Sequence, residues 1–204
     1  MKHKDVFFLC DLSTNISKHI NDIRDVINET VWRIDALSYP RWNIYVNLLT
    51  FDGGIFSGSK NIPTRHRLIK NYEAPMLTIN TQNAVKGNVD GMFRAAFDMS
   101  LSQYNLWILN GVEASPALFI YISDGSFNYF TGKSETDGIN SNFLQELQIR
   151  LKHSNIDIRV LALDTFDLEA DNEKLRSVAG REDFVVSVRP FKMIDKNLFL
   201  DIFD

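Results

Sequence analysis

What most constrains this chain is a series of strand-length apolar runs, each with a carboxylate at its end and each separated from the next by helical periodicity. The first is Val6-Phe7-Phe8-Leu9-Cys10 before Asp11 and the second Ala117 to Ser123 before Asp124; the third, Ile156 to Leu163 before Asp164, is apolar except at Asp157 and Arg159. A short continuous apolar run is the pattern of a strand buried on both faces, and such strands belong to parallel sheets covered by helices. In open α/β sheets, ligands bind in the crevice beyond the carboxyl ends of the strands. The acids therefore sit where a site is expected, and Asp11 is followed at alternate positions by a hydroxyl, Ser13, and an amide, Asn15.

The intervening segments supply the helices. Ile16, Ile20, Ile23, Val26, Ile27, Val31, Ile34 and Leu37 recur at three- and four-residue steps, which predicts an amphipathic helix from about Asn15 to Leu37. Either Thr14 or Asn15 suits its N-cap, and Ser38-Tyr39-Pro40 ends it. Asn43 to Phe51 reads as a strand. Asp52-Gly53-Gly54 reads as a tight turn into Ile55-Phe56-Ser57, an antiparallel edge strand. From Gly58 to Lys86 the pattern weakens into a long irregular excursion that carries a basic cluster, Arg65, His66, Arg67 and Lys70, with Met76 to Ile79 strand-like. Asn88 opens a second helix with Met92, Phe93, Ala96, Phe97, Met99, Ser100 and Leu101 on its buried side. A polar, turn-rich loop is predicted over 126–142, then a helix from Phe143 to about His153, a short helix from Glu169 to Ala179 stopped by Gly180, a strand at Phe184 to Val186 and a closing helix from Phe191 to Phe203. Strands alternating with helices predict an α/β, Rossmann-like open sheet, mostly parallel, with one antiparallel edge strand and helices on both faces. No break between cores is visible over the 204 residues, so one domain is expected.

Composition removes several function classes. The 45% hydrophobic and 24% charged content is that of an ordered globular protein. The longest apolar run, Pro116 to Ile122, is far too short to cross a bilayer, and the apolar stretch after the basic N-terminus is not a secretory core; no membrane partner is expected. A net charge of −4 and an isoelectric point near 5.6 weigh against nucleic acid. One cysteine, Cys10, excludes a disulfide framework and points to the reducing cytoplasm. Trp32, Trp42 and Trp107 read as core or edge packing, and His19 as a surface helix position. The four histidines lack ligand spacing for zinc. There is no Gly-rich phosphate loop, and no Gly-x-Ser-x-Gly elbow. A dehalogenase-like phosphoryl transfer would need an acid where Ser13 stands.

Three elements together, Asp11-Leu12-Ser13-Thr14-Asn15, Gly87-Asn88 and Ser123-Asp124-Gly125, resemble the metal-ion-dependent adhesion site of the von Willebrand factor type A family. The Leu49-Thr50-Phe51-Asp52 strand end and the helix entry Asp90-Gly91-Met92-Phe93-Arg94-Ala95-Ala96 are similar to the family's, and the order covers nearly the whole chain. Within the family the chain looks most like cytoplasmic bacterial members associated with tellurium resistance and chemical stress. The resemblance implies that Asp11, Ser13, Asn15, Asn88 and Asp124 hold Mg²⁺, with Mn²⁺ or Ca²⁺ as alternatives. It implies a binding role rather than catalysis: the cation accepts an Asp or Glu from another protein, and the chain is a monomer when alone. A hard divalent cation takes such oxygen ligands and keeps some of its waters.

Two positions depart from the family pattern. Asn15 stands where the second serine belongs and Asn88 where a threonine does. An asparagine carbonyl can ligate a hard cation, and both residues also suit helix N-caps without a metal. Two rival readings stay open here: a metal-free scaffold using the same loops, with contacts from Phe127 to Thr131, and a metal-dependent phosphohydrolase using Asp11 and Asp124.

Overall fold

The computed structural model describes residues 2–11, 19–51, 66–67, 89–111, 116–125, 141–165, 169–188, 194 and 197–203. Its strands are β1 (Lys2–Asp11), β2 (Trp42–Phe51), β3 (His66–Arg67), β4 (Ala117–Ser123), β5 (Ile156–Leu163) and β6 (Val185–Val188). Its helices are α1 (Ile20–Ser38), α2 (Val89–Leu109), α3 (Ser141–His153), α4 (Asn172–Ala179) and α5 (Asn197–Phe203). The sheet runs β3-β2-β1-β4-β5-β6, parallel throughout except where β3 pairs antiparallel to β2.

The apolar runs are continuous because both faces of the central strands are covered. Side chains alternate across a strand, so Val6, Phe8 and Cys10 of β1 join Leu118, Ile120 and Ile122 of β4 under α1 and α5. Phe7 and Leu9 join Phe119 and Tyr121 on the other face, under α2, α3 and α4. Phe7 is fully buried, its ring 4.9 Å from that of Phe119 and 5.6 Å from that of Trp107, centroid to centroid. Burial of a side chain of that size contributes about 1.5–3 kcal/mol.

The helices follow the expected stripes with several corrections. The described α1 begins at Ile20, five residues beyond the expected start, and His19 holds the capping position without a side-chain cap bond. The expected start near Asn15 falls among residues 12–18, which lie outside the described part. Trp32 is not core: it is 59% exposed on the outward side of α1, with the Arg33 guanidinium 4.9 Å from its ring centroid. Trp42 packs edge-on against Phe203. In α2 the stripe runs on past Leu101 to Tyr104, also buried.

Among the described residues the sheet has an antiparallel edge strand, as expected, in which His66–Arg67 pair with Tyr45 and Val46. Two members of the basic cluster, His66 and Arg67, are therefore strand residues. The expected hairpin at 52–57 and the strand-like Met76 to Ile79 lie outside the described residues, as does 126–140 of the expected loop. Ser141 and Asn142, assigned to that loop from sequence, begin α3. The Glu169 to Ala179 helix starts only at Asn172, where the Asp171 carboxylate accepts from the Lys174 N–H at 3.2 Å. Gly180 ends it with φ +73°, as expected. The last helix is shorter than predicted: α5 begins at Asn197, while Ile194 is buried without being helical. No helix among the described residues is long and apolar enough to cross a membrane.

Candidate functional site

The sheet order reverses direction between β1 and β4, both parallel, and their carboxyl ends lie side by side. Cys10 and Ile122 are register partners, so Asp11 and Ser123 close adjacent strands at the same level. Asp11 and Ser123 are fully buried, and Asp124 is 3% exposed. The Ser123 hydroxyl donates to Asp11 Oδ2 at 2.9 Å. The Ser123 Oγ in turn accepts the Gly125 N–H at 3.0 Å.

Beyond Ser123 the chain turns sharply. Gly125 has φ +74°, in the left-handed region that side chains disfavour. A β-carbon there would stand 2.8 Å from the Asp171 carbonyl oxygen and 3.1 Å from Leu175 Cγ. The Asp171 N–H donates to the Asp124 carbonyl at 2.7 Å, which ties the turn to the start of α4. Burial raises the Asp171 carboxyl, but the hydrogen bonds and charge of Lys174 outweigh it and hold the group below the ordinary aspartate value.

Of the five residues that the sequence nominates for a cation, Asp11 and Asp124 lie at this crest, at the ends of neighbouring strands. Ser13, Asn15 and Asn88 lie outside the described residues, and among the described residues no three His, Cys, Asp or Glu side chains group as a metal cluster. Asp164, at the end of β5, is half-buried, and its N–H donates to Val188 O at 3.0 Å, joining β5 to β6. His19 is not a surface helix residue. It precedes α1, half-buried, with Nδ1 3.1 Å from Asp22 Oδ2 and Nε2 3.5 Å from the Thr165 hydroxyl. Sequence reasoning quoted Ser123 only as part of a motif and gave it no role. The available signal was a hydroxyl closing an apolar run directly before the acid.

No family model and no curated protein matches the chain. Solved structures do. The von Willebrand factor domain of the type V pili tip protein Mfa5 from Porphyromonas gingivalis is 11% identical with a TM-score of 0.55, over 98% of this chain and 94% of that one. The fold is that of a von Willebrand factor A domain. The manganese-loaded TRAP protein of Plasmodium vivax is similar at 18% identity and a TM-score of 0.53, over 100% of this chain and 72% of that one. The open conformation of the pilus adhesin SpaC from Lactobacillus rhamnosus GG matches at 12% identity and a TM-score of 0.56, over 100% of this chain but only 29% of its own length. In the von Willebrand factor A fold, the crest built by Asp11, Ser123 and Asp124 is the carboxyl edge of the sheet at its switch point, where crevices form.

Proposed function

We propose that this chain is a protein-interaction module whose crest holds a divalent cation and recognises a carboxylate on a partner protein. The observation that carries the reading is the buried pair of strand-end acids, Asp11 and Asp124, joined through Ser123 at the switch point of a von Willebrand factor A fold. Asp11, Ser13, Asn15, Asn88 and Asp124 are the residues that would hold the cation. All five offer oxygen donors, the set that Mg²⁺ or Mn²⁺ takes. When bound, the cation supplies Lewis acidity toward an Asp or Glu of the partner. A solved structure with this fold is manganese-loaded and another is a pilus adhesin, which supports a divalent ion and a binding rather than catalytic role. A cytoplasmic setting like that of the tellurium-resistance members belongs to the same proposal; it is supported by the sequence resemblance and by a lone cysteine that is buried.

Calorimetric titration with Mg²⁺ and Mn²⁺ tests the reading on the native chain, Asp11→Ala and Asp124→Ala. Binding by the native chain that both substitutions abolish supports it. Absence of heat and of any thermal stabilisation by either ion sinks the cation and leaves a metal-free scaffold as the function of the crest.

A further inference from the structure

We infer that Ser123 is the positioning residue of this crest: its hydroxyl sets the Asp11 carboxylate and the Asp124–Gly125 turn in one arrangement, and cation affinity depends on that arrangement. The inference rests on the cation-holding reading above. A serine hydroxyl has one proton to give and lone pairs to accept with. Here the proton goes to Asp11 Oδ2 at 2.9 Å, and a lone pair takes the Gly125 N–H at 3.0 Å. Ser123 is fully buried, so water does not compete for either bond.

The bond to Asp11 is charge-assisted and fixes which carboxylate oxygen faces β4. The bond from Gly125 holds the peptide after Asp124 in the turn whose other side is tied to α4 by the Asp171 N–H, 2.7 Å from the Asp124 carbonyl. One oxygen atom thus links the ends of β1 and β4, and through the turn it reaches α4. Ser123 itself is occupied as donor and acceptor and acts through the two acids, not as a ligand. Partners of this kind, one shell out from a metal ligand, change cation affinity by about 10- to 100-fold when removed.

The test is Mn²⁺ titration by calorimetry of the native chain, Ser123→Ala and Ser123→Thr, each well below its own melting temperature, with melting curves recorded in chelator. Ser123→Ala is expected to bind Mn²⁺ about 10- to 100-fold more weakly. Ser123→Thr keeps the hydroxyl on a side chain that suits a strand, and is expected to recover most of the lost affinity. Ser123→Cys, with a weak donor of similar shape, carries the same comparison if the alanine variant does not fold, and weakened binding by it counts in favour. A folded alanine or cysteine variant that binds Mn²⁺ as tightly as the native chain, whatever its melting temperature, overturns the inference and leaves the cation reading standing. Failure of the native chain to bind Mn²⁺ overturns both.

Discussion

Arg159, in the middle of the core strand β5, presents one guanidinium nitrogen to both carboxylate oxygens of Asp201 on α5, at 2.8 and 2.7 Å. Its Nε donates to the Leu198 carbonyl at 2.8 Å, and the guanidinium carbon lies 3.7 Å from the Phe184 ring centroid. Arg159 is 1% exposed, so the last helix is held to the sheet by a buried cation. Asp201→Ala leaves that charge without its counter-ion and is expected to cost about 1.5–3 kcal/mol, read from urea unfolding. Arg159→Met combined with Asp201→Leu removes both charges, and should cost less than Asp201→Ala alone because no buried charge is left exposed to an apolar neighbourhood. A double variant less stable than the single one contradicts this account.

Gly125→Ala should weaken the protein with or without any cation. The left-handed backbone costs a side chain about 1–2 kcal/mol. The added methyl would also meet the Asp171 carbonyl at 2.8 Å, and backbone at both ends of that contact has little room to retreat. Unfolding in chelator measures the combined loss, and a variant as stable as the native chain would show that the turn relaxes freely.

Lys4 gives the fold a pH dependence. It is 2% exposed, with Nζ 3.7 Å from Asp157 Oδ2 and facing the rings of Trp42 and Phe203. Burial pulls its ammonium below lysine's ordinary value, and Asp157 offsets this only in part. Between the lowered folded value and the ordinary unfolded one, the unfolded chain binds more protons. This group therefore adds stability as the pH rises through that window and withdraws it as the pH falls. Lys4→Met is expected to stabilise near pH 7 and to lose that advantage toward about pH 10. Denaturant midpoints at both pH values decide it.

Cys10 should be inert in the folded chain. Burial, followed by the neighbouring charge of Asp11, pushes its thiol far above the usual range, so no thiolate forms near neutrality. A disulfide reagent is expected to react only in denaturant, at a rate that tracks unfolding. Prompt labelling of the native protein would contradict the burial of β1.

The parts of the fold legible in the sequence are those set by period and by punctuation. The bounds of β5, Ile156 and Leu163, coincide with the strand expected from sequence, and the end of α4 falls at Gly180, where a positive φ demands glycine. The parts that were not legible depend on partners distant in the chain. Nothing local distinguishes Arg159 from an ordinary strand charge, because its burial is made possible by Asp201, 42 residues on. Lys4 likewise looks like part of a basic terminus until Trp42 and Phe203 close over it. At the crest, the acids were visible as strand ends. The role of Ser123 was hidden because its acceptor lies 112 residues earlier.

The position of β1 between β2 and β4 has a consequence for the order of events during synthesis. β2 follows β1 after α1, whereas β4 begins only at Ala117, after β2, β3 and α2. Loop-closure entropy grows only slowly with length, so closing this longer segment costs about 1 kcal/mol more than closing the β1–β2 crossover, to be met by the contacts that β4 forms with β1. The N-terminal half therefore carries Asp11 on an open strand edge until the second acid arrives. The crest therefore exists only where β1 and β4 are paired, because that pairing brings Asp11 and Ser123 together.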